Sequence, residues 1–221
     1  ELYQDDFRQI DSTGRASLLF SAILSELSKN ASRYQVSSVL ENAKADRVLG
    51  IIGDMKDSLT VNVAYHANDI SAGMSLHENI NRYKLFVMDT GLFVTLAFMD
   101  KDSTENVIYE KLLNDKLDAD LGYLYENMVA QMLYANGNKL FYYTFPKEKS
   151  THNYEIDFLI AKRNKVCPIE VKSSGYRTHA SIDAFSDKFS SKIGQKYLVY
   201  TKDLHKDGDI LCLPIYMTMF L

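Results

Sequence analysis

Two strand-like segments carry charged side chains between apolar ones, and these charged side chains are the best candidates for chemistry. The first segment is YEIDFLI at residues 154–160, and the second is PIEVKSS at residues 168–174. Because successive side chains of a strand point to opposite faces, Glu170 and Lys172 share one face of the second segment. If the segments pair as neighbouring strands, Asp157 and Glu170 converge and Lys172 lies beside them.

The same alternation divides the first segment into an apolar face and a charged face. It predicts Ile156, Phe158 and Ile160 on one face, and Glu155, Asp157 and Leu159 on the other. Glu155 is then either a further metal ligand or a charge at the rim of the site, and we favour the rim.

Paired carboxylates repel each other unless a proton or a cation lies between them. Mg²⁺ suits such a pair because it takes oxygen ligands, usually one or two protein carboxylates completed by water and substrate phosphate. A bound metal can activate water and stabilise charge on a phosphodiester, while an adjacent ammonium orients the water or neutralises the developing oxyanion. The pattern therefore predicts a Mg²⁺ or Mn²⁺ site with Asp157, Glu170 and Lys172 as catalytic residues. An ordinary solvated strand face is the alternative.

The second half of the chain supplies helical and strand-like patterns that would position these residues. Apolar residues recur every three or four positions in the first pattern: Leu117, Leu121, Leu124, Met128 and Met132. They predict a helix that ends at the sequence ANGN. Strands are predicted next at residues 139–145, 154–160 and 166–171, then a helix at 178–189 and two strands in QKYLVYTK and DILCLPI. These elements predict an α/β domain at residues 117–221.

The first half of the chain predicts helices followed by a hairpin. Apolar patterns at residues 12–30, 36–43 and 45–52 predict the helices. LTVNVAYH and RYKLFVMD then read as two strands around a polar stretch, which is the outline of a winged helix. We place this helical, winged-helix-like domain at residues 1–99 and an acidic linker at residues 100–116.

The charged segments resemble a known nuclease signature. YEIDFLI and VCPIEVKSS are similar to the core of the PD-(D/E)XK nuclease superfamily, with Asp157 as the first acid and Glu170 and Lys172 as the E-x-K element. In GYLYENMVAQML, Glu126 matches the acid that many of these nucleases carry on their first helix, where it helps to hold the metal. The resemblance implies a restriction-endonuclease-like α/β domain with a central mixed sheet, and metal ligands Glu126, Asp157 and Glu170.

A wider resemblance covers nearly the whole chain. RYKLFVMDTGLF, GYLYENMVAQML, YEIDFLI and PIEVKSS together resemble the C-terminal region of a large prokaryotic group of predicted AAA-type ATPases. In that group an ATPase domain precedes a winged helix and a nuclease-like domain of undetermined function. No G-x-x-x-x-G-K-[ST] occurs here, so we expect no ATP site in these residues. The resemblance implies that the chain was cut after its ATPase domain or descends from a form that lost it.

Charge limits the classes of function. The net charge of −4 argues against a protein whose main task is coating nucleic acid. Residues 136–206 contain thirteen Lys or Arg and seven Asp or Glu, a net charge of +6, so the rest of the chain carries −10 and a polyanion is attracted to one region only. The charges of residues 36–52 balance, which favours packing against an ATPase domain or another subunit over entry into a DNA groove.

Hydropathy and cysteine content address location. No apolar run approaches the ~20 residues that span a bilayer. Cys167 and Cys212 both lie in apolar strand-like segments, which suits buried thiols in a reducing compartment better than a disulfide. We therefore expect a cytoplasmic protein with no membrane association.

Two functions remain from different classes. The first is a Mg²⁺- or Mn²⁺-dependent nuclease that cuts DNA phosphodiesters, with Asp157 and Glu170 as metal ligands, Glu126 as an auxiliary ligand and Lys172 as the water-orienting or electrophilic group. The second is a module of the ATPase that binds nucleic acid or protein without hydrolysis.

Overall fold

The computed structural model of the chain describes residues 2–29, 32–41, 44–98, 122–148, 150–174 and 176–221. These residues form a mixed α/β fold, which confirms the predicted fold class. The helices are α1 (Leu2–Ile10), α2 (Arg15–Ser21), α3 (Ile23–Ser28), α4 (Ala45–Asp57), α5 (Thr90–Phe98), α6 (Gly122–Ala135) and α7 (Ala180–Phe189). The strands are β1 (Val61–Ala67), β2 (Glu78–Val87), β3 (Phe141–Pro146), β4 (Asn153–Lys162), β5 (Lys165–Val171), β6 (Lys196–Tyr200), β7 (His205–Asp207) and β8 (Ile210–Pro214).

The strands of the described residues lie in a single sheet with the order β2-β1-β3-β4-β5-β6-β8-β7. Three neighbouring pairs are parallel, β1 with β3, β5 with β6 and β6 with β8, and the other pairs are antiparallel. The sheet is therefore mixed, as expected. Every strand predicted in the second half is present, and the short β7 was not predicted.

The β1–β2 hairpin lies at one edge of this sheet rather than standing apart as a wing. β1 pairs in parallel with β3, with Tyr65 opposite Phe141 and His66 opposite Tyr142. Buried residues of α2–α4, β1 and β2 pack in the same hydrophobic cluster as buried residues of β4, β5 and β6. Residues 100–116, the predicted linker, lie outside the described residues, and the division into domains 1–99 and 117–221 stays a prediction.

Two helices of the first half are shorter than their apolar patterns suggest. The pattern at residues 12–30 is divided into α2 and α3 at Ala22, and the pattern at residues 36–43 forms a 3₁₀ helix only at Val36–Ser38, with residues 42 and 43 outside the described part. The carboxylate of buried Glu26 accepts hydrogen bonds from the Gln35 N–H at 3.0 Å and the Ser38 hydroxyl at 2.8 Å. Hydrogen bonds to Glu26, rather than a helical repeat, therefore fix the conformation of this segment.

Helix α6 buries only part of the apolar stripe that its spacing predicts: Leu124 is buried, while Leu117 and Leu121 lie outside the described residues. Its buried residues are Leu124, Asn127, Val129, Ala130 and Leu133. Met128 and Met132 of the predicted stripe are only partly buried and line a groove of about 500 Å³ with Tyr216 and Met219. The difference arises because a polar residue, Asn127, lies in the middle of the buried face.

Strand β4 contains a β-bulge that strict alternation does not reveal. Tyr143 of β3 pairs with Ile156 and Phe141 pairs with Leu159, so β4 has one more residue than β3 between the two pairs. Ile156 and Leu159 accordingly pack in one hydrophobic cluster, and Phe158 packs in the other. The prediction that Ile156 and Phe158 share a face is therefore wrong, because the bulge shifts the period between them.

Within the described residues, no helix combines the length and the apolar character needed to cross a bilayer. Cys167 and Cys212 are free and buried, as their apolar surroundings in the sequence predict.

Candidate active site

Asp157 lies at the bulge of β4, beside the end of β5. Its Oδ2 accepts a hydrogen bond from the backbone N–H of Val171, with a nitrogen–oxygen distance of 2.7 Å. Val171 is the residue between Glu170 and Lys172, so this bond fixes the acid of β4 against the E-x-K element. The predicted pairing of the two segments is present, because β4 and β5 are antiparallel neighbours.

Glu170 and Lys172 form an ion pair in which the carboxylate is the more buried partner. Lys172 Nζ lies 2.7 Å from Glu170 Oε1, and the Glu170 side chain is only 6% exposed, against 31% for Lys172. The Lys172 N–H donates to the carbonyl of Val199 on β6 at 2.9 Å, which continues the sheet ladder past β5. The ammonium of Lys172 therefore stands between a buried carboxylate and solvent.

A second lysine, Lys84, enters the cluster from β2. Its ammonium forms an ion pair with Glu155, lies 3.7 Å from Glu126 Oε2 on α6, and is 5.6 Å from the centre of the Tyr142 ring. The Lys84 side chain is 7% exposed. Glu155 is thus paired with a buried ammonium, and its own side chain is 26% exposed.

Sequence reasoning missed Lys84 because its partner Glu155 is 71 positions away in the chain. Lys84 lies in RYKLFVMD, where Arg82 and Lys84 alternate with Tyr83 and Leu85. Two basic residues on one face of a strand whose other face is apolar were the available signal. Without the strand order, that signal does not say which acids lie opposite.

The charges of the cluster act on one another. Burial raises the pKa of Asp157 well above its usual range, and Glu126, Glu155 and Glu170 raise it further, while Lys84 opposes them. Together with Lys172, three carboxylates and two ammoniums thus act on Asp157 in one electrostatic network. With all groups ionised, four carboxylates and two ammoniums carry a net charge of −2. Such a cluster favours a proton on Asp157 or a bound cation.

Both ammoniums stay protonated in this surrounding. Burial by itself lowers the pKa of Lys84, but Glu126, Glu155 and Asp157 outweigh burial and raise it. Burial likewise lowers the pKa of Lys172, and the hydrogen bond to Glu170 with the nearby carboxylates raises it overall. Neither lysine is therefore suited to act as a base at neutral pH.

The fit of a divalent ion depends on which carboxylate oxygens remain available. Among the described residues, no group of three or more His, Cys, Asp or Glu is arranged to hold a metal ion. Lys84 contacts Glu126 and Glu155, and Lys172 contacts Glu170 Oε1. Glu170 Oε2, however, is buried without a hydrogen-bond partner in the described part of the chain. An unsatisfied buried carboxylate oxygen close to a second acid fits a hard divalent cation.

Polar groups of β1, β2 and β3 also contact one another, with His66 and Thr144 buried and Arg82 partly buried. His66 Nε2 accepts a hydrogen bond from the Thr144 N–H at 3.2 Å, and an Arg82 guanidinium nitrogen donates to the Thr144 hydroxyl at 2.5 Å. Burial, helped by the charge of Arg82, lowers the pKa of His66 to about 4. His66 is therefore neutral at pH 7 and accepts rather than donates at Nε2.

One family model matches the chain. Residues 121–217 match a domain of unknown function (DUF4143), a stretch that is less than half of the chain. The stretch includes Glu126, Asp157, Glu170 and Lys172, and it leaves Lys84 outside. The match is consistent with the ATPase-associated C-terminal region that the sequence resembles, and it assigns no activity. Comparisons with curated proteins and with solved structures found no match.

Proposed function

We propose that this chain is a divalent-metal-dependent phosphodiesterase that cleaves DNA, with Asp157, Glu170 and Lys172 as its catalytic residues. One observation carries the proposal: the Asp157 carboxylate accepts a hydrogen bond from the backbone N–H that lies between Glu170 and Lys172. Two acids and an ammonium are thereby held at one point of the sheet. This is the minimal set for hydrolysis of a phosphodiester at a metal.

Asp157 and Glu170 would hold a Mg²⁺ or Mn²⁺ ion, which supplies a polarised water and stabilises charge on the phosphoryl group. The chain's own contribution is to place the two carboxylates in advance. The Val171 N–H fixes the orientation of the Asp157 carboxylate. Glu170 is buried, and its Oε2 has no hydrogen-bond partner among the residues that the structure describes, so a bound cation would stabilise this carboxylate. The sequence also predicts Glu126 as an auxiliary ligand, but its Oε2 lies 3.7 Å from the Lys84 ammonium, so we assign the ion to Asp157 and Glu170 alone.

Lys172 acts as a protonated group in this mechanism. Its ammonium is partly exposed and hydrogen-bonded to Glu170 at 2.7 Å. Because its pKa is raised by the surrounding carboxylates, it donates hydrogen bonds to the attacking water or to the developing oxyanion and does not remove a proton. A neutral side chain at this position would leave the Glu170 carboxylate and the developing oxyanion without this neighbouring positive charge.

DNA is the proposed substrate because the positive charge of the chain is concentrated in the segment that contains Asp157, Glu170 and Lys172. Residues 136–206, which include β3–β6 and α7, carry a net charge of +6. Such a region attracts a polyanion in spite of the negative total. An ATPase domain or other subunit is the proposed partner of the remaining surface, and the two buried free thiols, Cys167 and Cys212, favour a cytoplasmic location.

A cleavage assay tests the proposal. Supercoiled plasmid and labelled single- and double-stranded oligonucleotides are incubated with Mg²⁺ or Mn²⁺ and with excess chelator. We expect metal-dependent cutting, lost by about 10²-fold or more in Asp157→Asn and in Lys172→Ala. Asp183→Asn on α7 and Lys206→Ala on β7, both exposed, are the matched controls. Cutting at the wild-type rate by a correctly folded Lys172→Ala variant would refute the assignment.

A non-catalytic module is the second candidate, and the ion pairs of Lys84 favour it. Lys84 provides a protein cation for Glu126 and Glu155, so part of the acidic cluster is stabilised without metal. A module of this kind binds nucleic acid or protein and gives no shift in melting temperature with millimolar Mn²⁺. The phosphodiesterase gives an upward shift by mass action, and Asp157→Asn abolishes it.

A further inference from the structure

The ammonium of Lys84 is the second protein cation of the cluster, in addition to Lys172. It contacts Glu155 directly and Glu126 at 3.7 Å, and it acts electrostatically on Asp157. These carboxylates belong to α6 and β4, whereas Lys84 comes from β2. A strand of the N-terminal half therefore places a positive charge in a site whose carboxylates all belong to the C-terminal half.

The packing of β2 around Lys84 holds the ammonium among the carboxylates of the cluster. Lys84 pairs with Ala64 of β1 in the antiparallel ladder, and its neighbours Tyr83 and Leu85 are buried. The ammonium also faces the ring of buried Tyr142 at 5.6 Å. Moving the charge out of the site would break the ion pair with Glu155 and the contact with Tyr142.

We propose that Lys84 is a built-in counter-cation that keeps Glu126 and Glu155 out of metal coordination, so that the site takes a single divalent ion at Asp157 and Glu170. The inference rests on the proposed metal-dependent function and deepens it by fixing the number of ions. Loss of the Lys84 charge changes the net charge of the ionised cluster from −2 to −3. Without that ammonium, the excess negative charge at Glu126 and Glu155 favours a second ion.

Mn²⁺ binding by isothermal titration calorimetry tests this inference without any cleavage assay. We expect one Mn²⁺ per wild-type chain. We expect Lys84→Met to bind two Mn²⁺ and to bind the first at least about tenfold more tightly, because a unit positive charge beside a divalent ion in a partly buried site contributes that factor or more. Lys84→Arg keeps the charge and is expected to bind one ion, and Lys206→Met on exposed β7 is expected to match wild type.

The outcomes separate this inference from the proposed function. Equal affinity and stoichiometry in wild type and Lys84→Met, or loss of binding in the variant, overturns the inference and leaves the metal site standing. Binding by Lys84→Met alone overturns both the single-ion inference and the metal dependence of the wild type, because Lys84 would then replace the ion altogether. Absence of binding in both proteins overturns both. If Lys84→Met is unfolded without metal, we expect Mn²⁺ to restore its near-UV circular dichroism, and an unfolded variant that Mn²⁺ does not refold overturns the inference.

Discussion

Asn127 joins the two halves of the chain through its side-chain amide, and its replacement is the sharpest test of how the site is held. Asn127 Oδ1 accepts from the Val87 N–H at 2.8 Å, and Nδ2 donates to the Val87 carbonyl at 3.0 Å. Nδ2 also donates to the Thr90 hydroxyl at 3.3 Å. Asn127 is 0% exposed, so it satisfies both backbone groups of a buried residue at the end of β2.

Asn127→Leu removes both side-chain hydrogen bonds to Val87 while keeping the number and branching of the side-chain heavy atoms. Each buried backbone group left unsatisfied costs about 1–3 kcal/mol, so we expect a loss of about 2–6 kcal/mol in the free energy of unfolding. The same change loosens α6, which carries Glu126, from β2, which carries Lys84. Asn136→Leu, at the exposed turn after α6, is the matched control and should change stability by less than about 0.5 kcal/mol.

Urea unfolding followed by circular dichroism measures the difference from the shift in midpoint at a constant m-value. A loss of less than about 1 kcal/mol for Asn127→Leu would refute the reasoning, because it would mean that Val87 finds other partners at no cost. A loss as large in Asn136→Leu would also refute it, since the effect would then belong to α6 in general.

Three further predictions concern stability. Because the pKa of His66 is about 4 in the folded chain and about 6.5 when unfolded, the unfolded state takes up the proton first as pH falls. Between pH 7 and pH 4.5, the free energy of unfolding from urea midpoints should therefore fall by about 2 kcal/mol more in the wild type than in His66→Gln. Equal losses in the two proteins would contradict a buried, neutral His66 ring. Phe158→Ala should lower the free energy of unfolding by about 3–5 kcal/mol in the same assay, whereas Phe220→Ala, at an exposed ring, should change it by less than about 0.5 kcal/mol. Tyr34→Phe should cost about 1–2 kcal/mol in midpoint stability, because the Tyr34 hydroxyl donates a buried hydrogen bond to the Leu19 carbonyl at 2.7 Å, and no loss would show that bond to be dispensable.

Local periodicity predicts those features of the chain that depend on neighbouring residues. The strands β3, β4, β5, β6 and β8, the hairpin and the helices α4, α6 and α7 follow from apolar alternation or helical repeat. The adjacency of Asp157 with Glu170 and Lys172 also follows, because two short strands joined by a tight connection pair with each other. These features require no knowledge of distant partners.

The features that the sequence does not reveal depend on long-range pairing. The bulge of β4 is defined by its pairing with β3. Tyr143 pairs with Ile156 and Phe141 pairs with Leu159, and this register cannot be predicted from the sequence of β4 alone. The position of the β1–β2 hairpin at the edge of the sheet depends on the β1–β3 pairing in the same way. Lys84 reaches Glu155 only because of that edge position, so a local pattern cannot predict the ion pair.

Side-chain hydrogen bonds account for the other differences. A polar residue on the buried face of α6 is not expected from hydrophobic periodicity, and Asn127 is stable there because its amide matches the backbone of Val87. Glu26 has the same effect in the N-terminal half, where it replaces a predicted helix with a segment held by Gln35 and Ser38. Buried polar side chains with complete partners thus override apolar patterns at both positions.

The central claim is that Asp157 and Glu170 share one divalent ion. An anomalous difference map from crystals of the chain grown with millimolar Mn²⁺ tests it directly. We expect one peak bonded to carboxylate oxygens of both residues, at about 2.1–2.2 Å, with Lys84 still paired to Glu155. A map with no peak at these carboxylates, in crystals where both side chains are ordered, would contradict the claim.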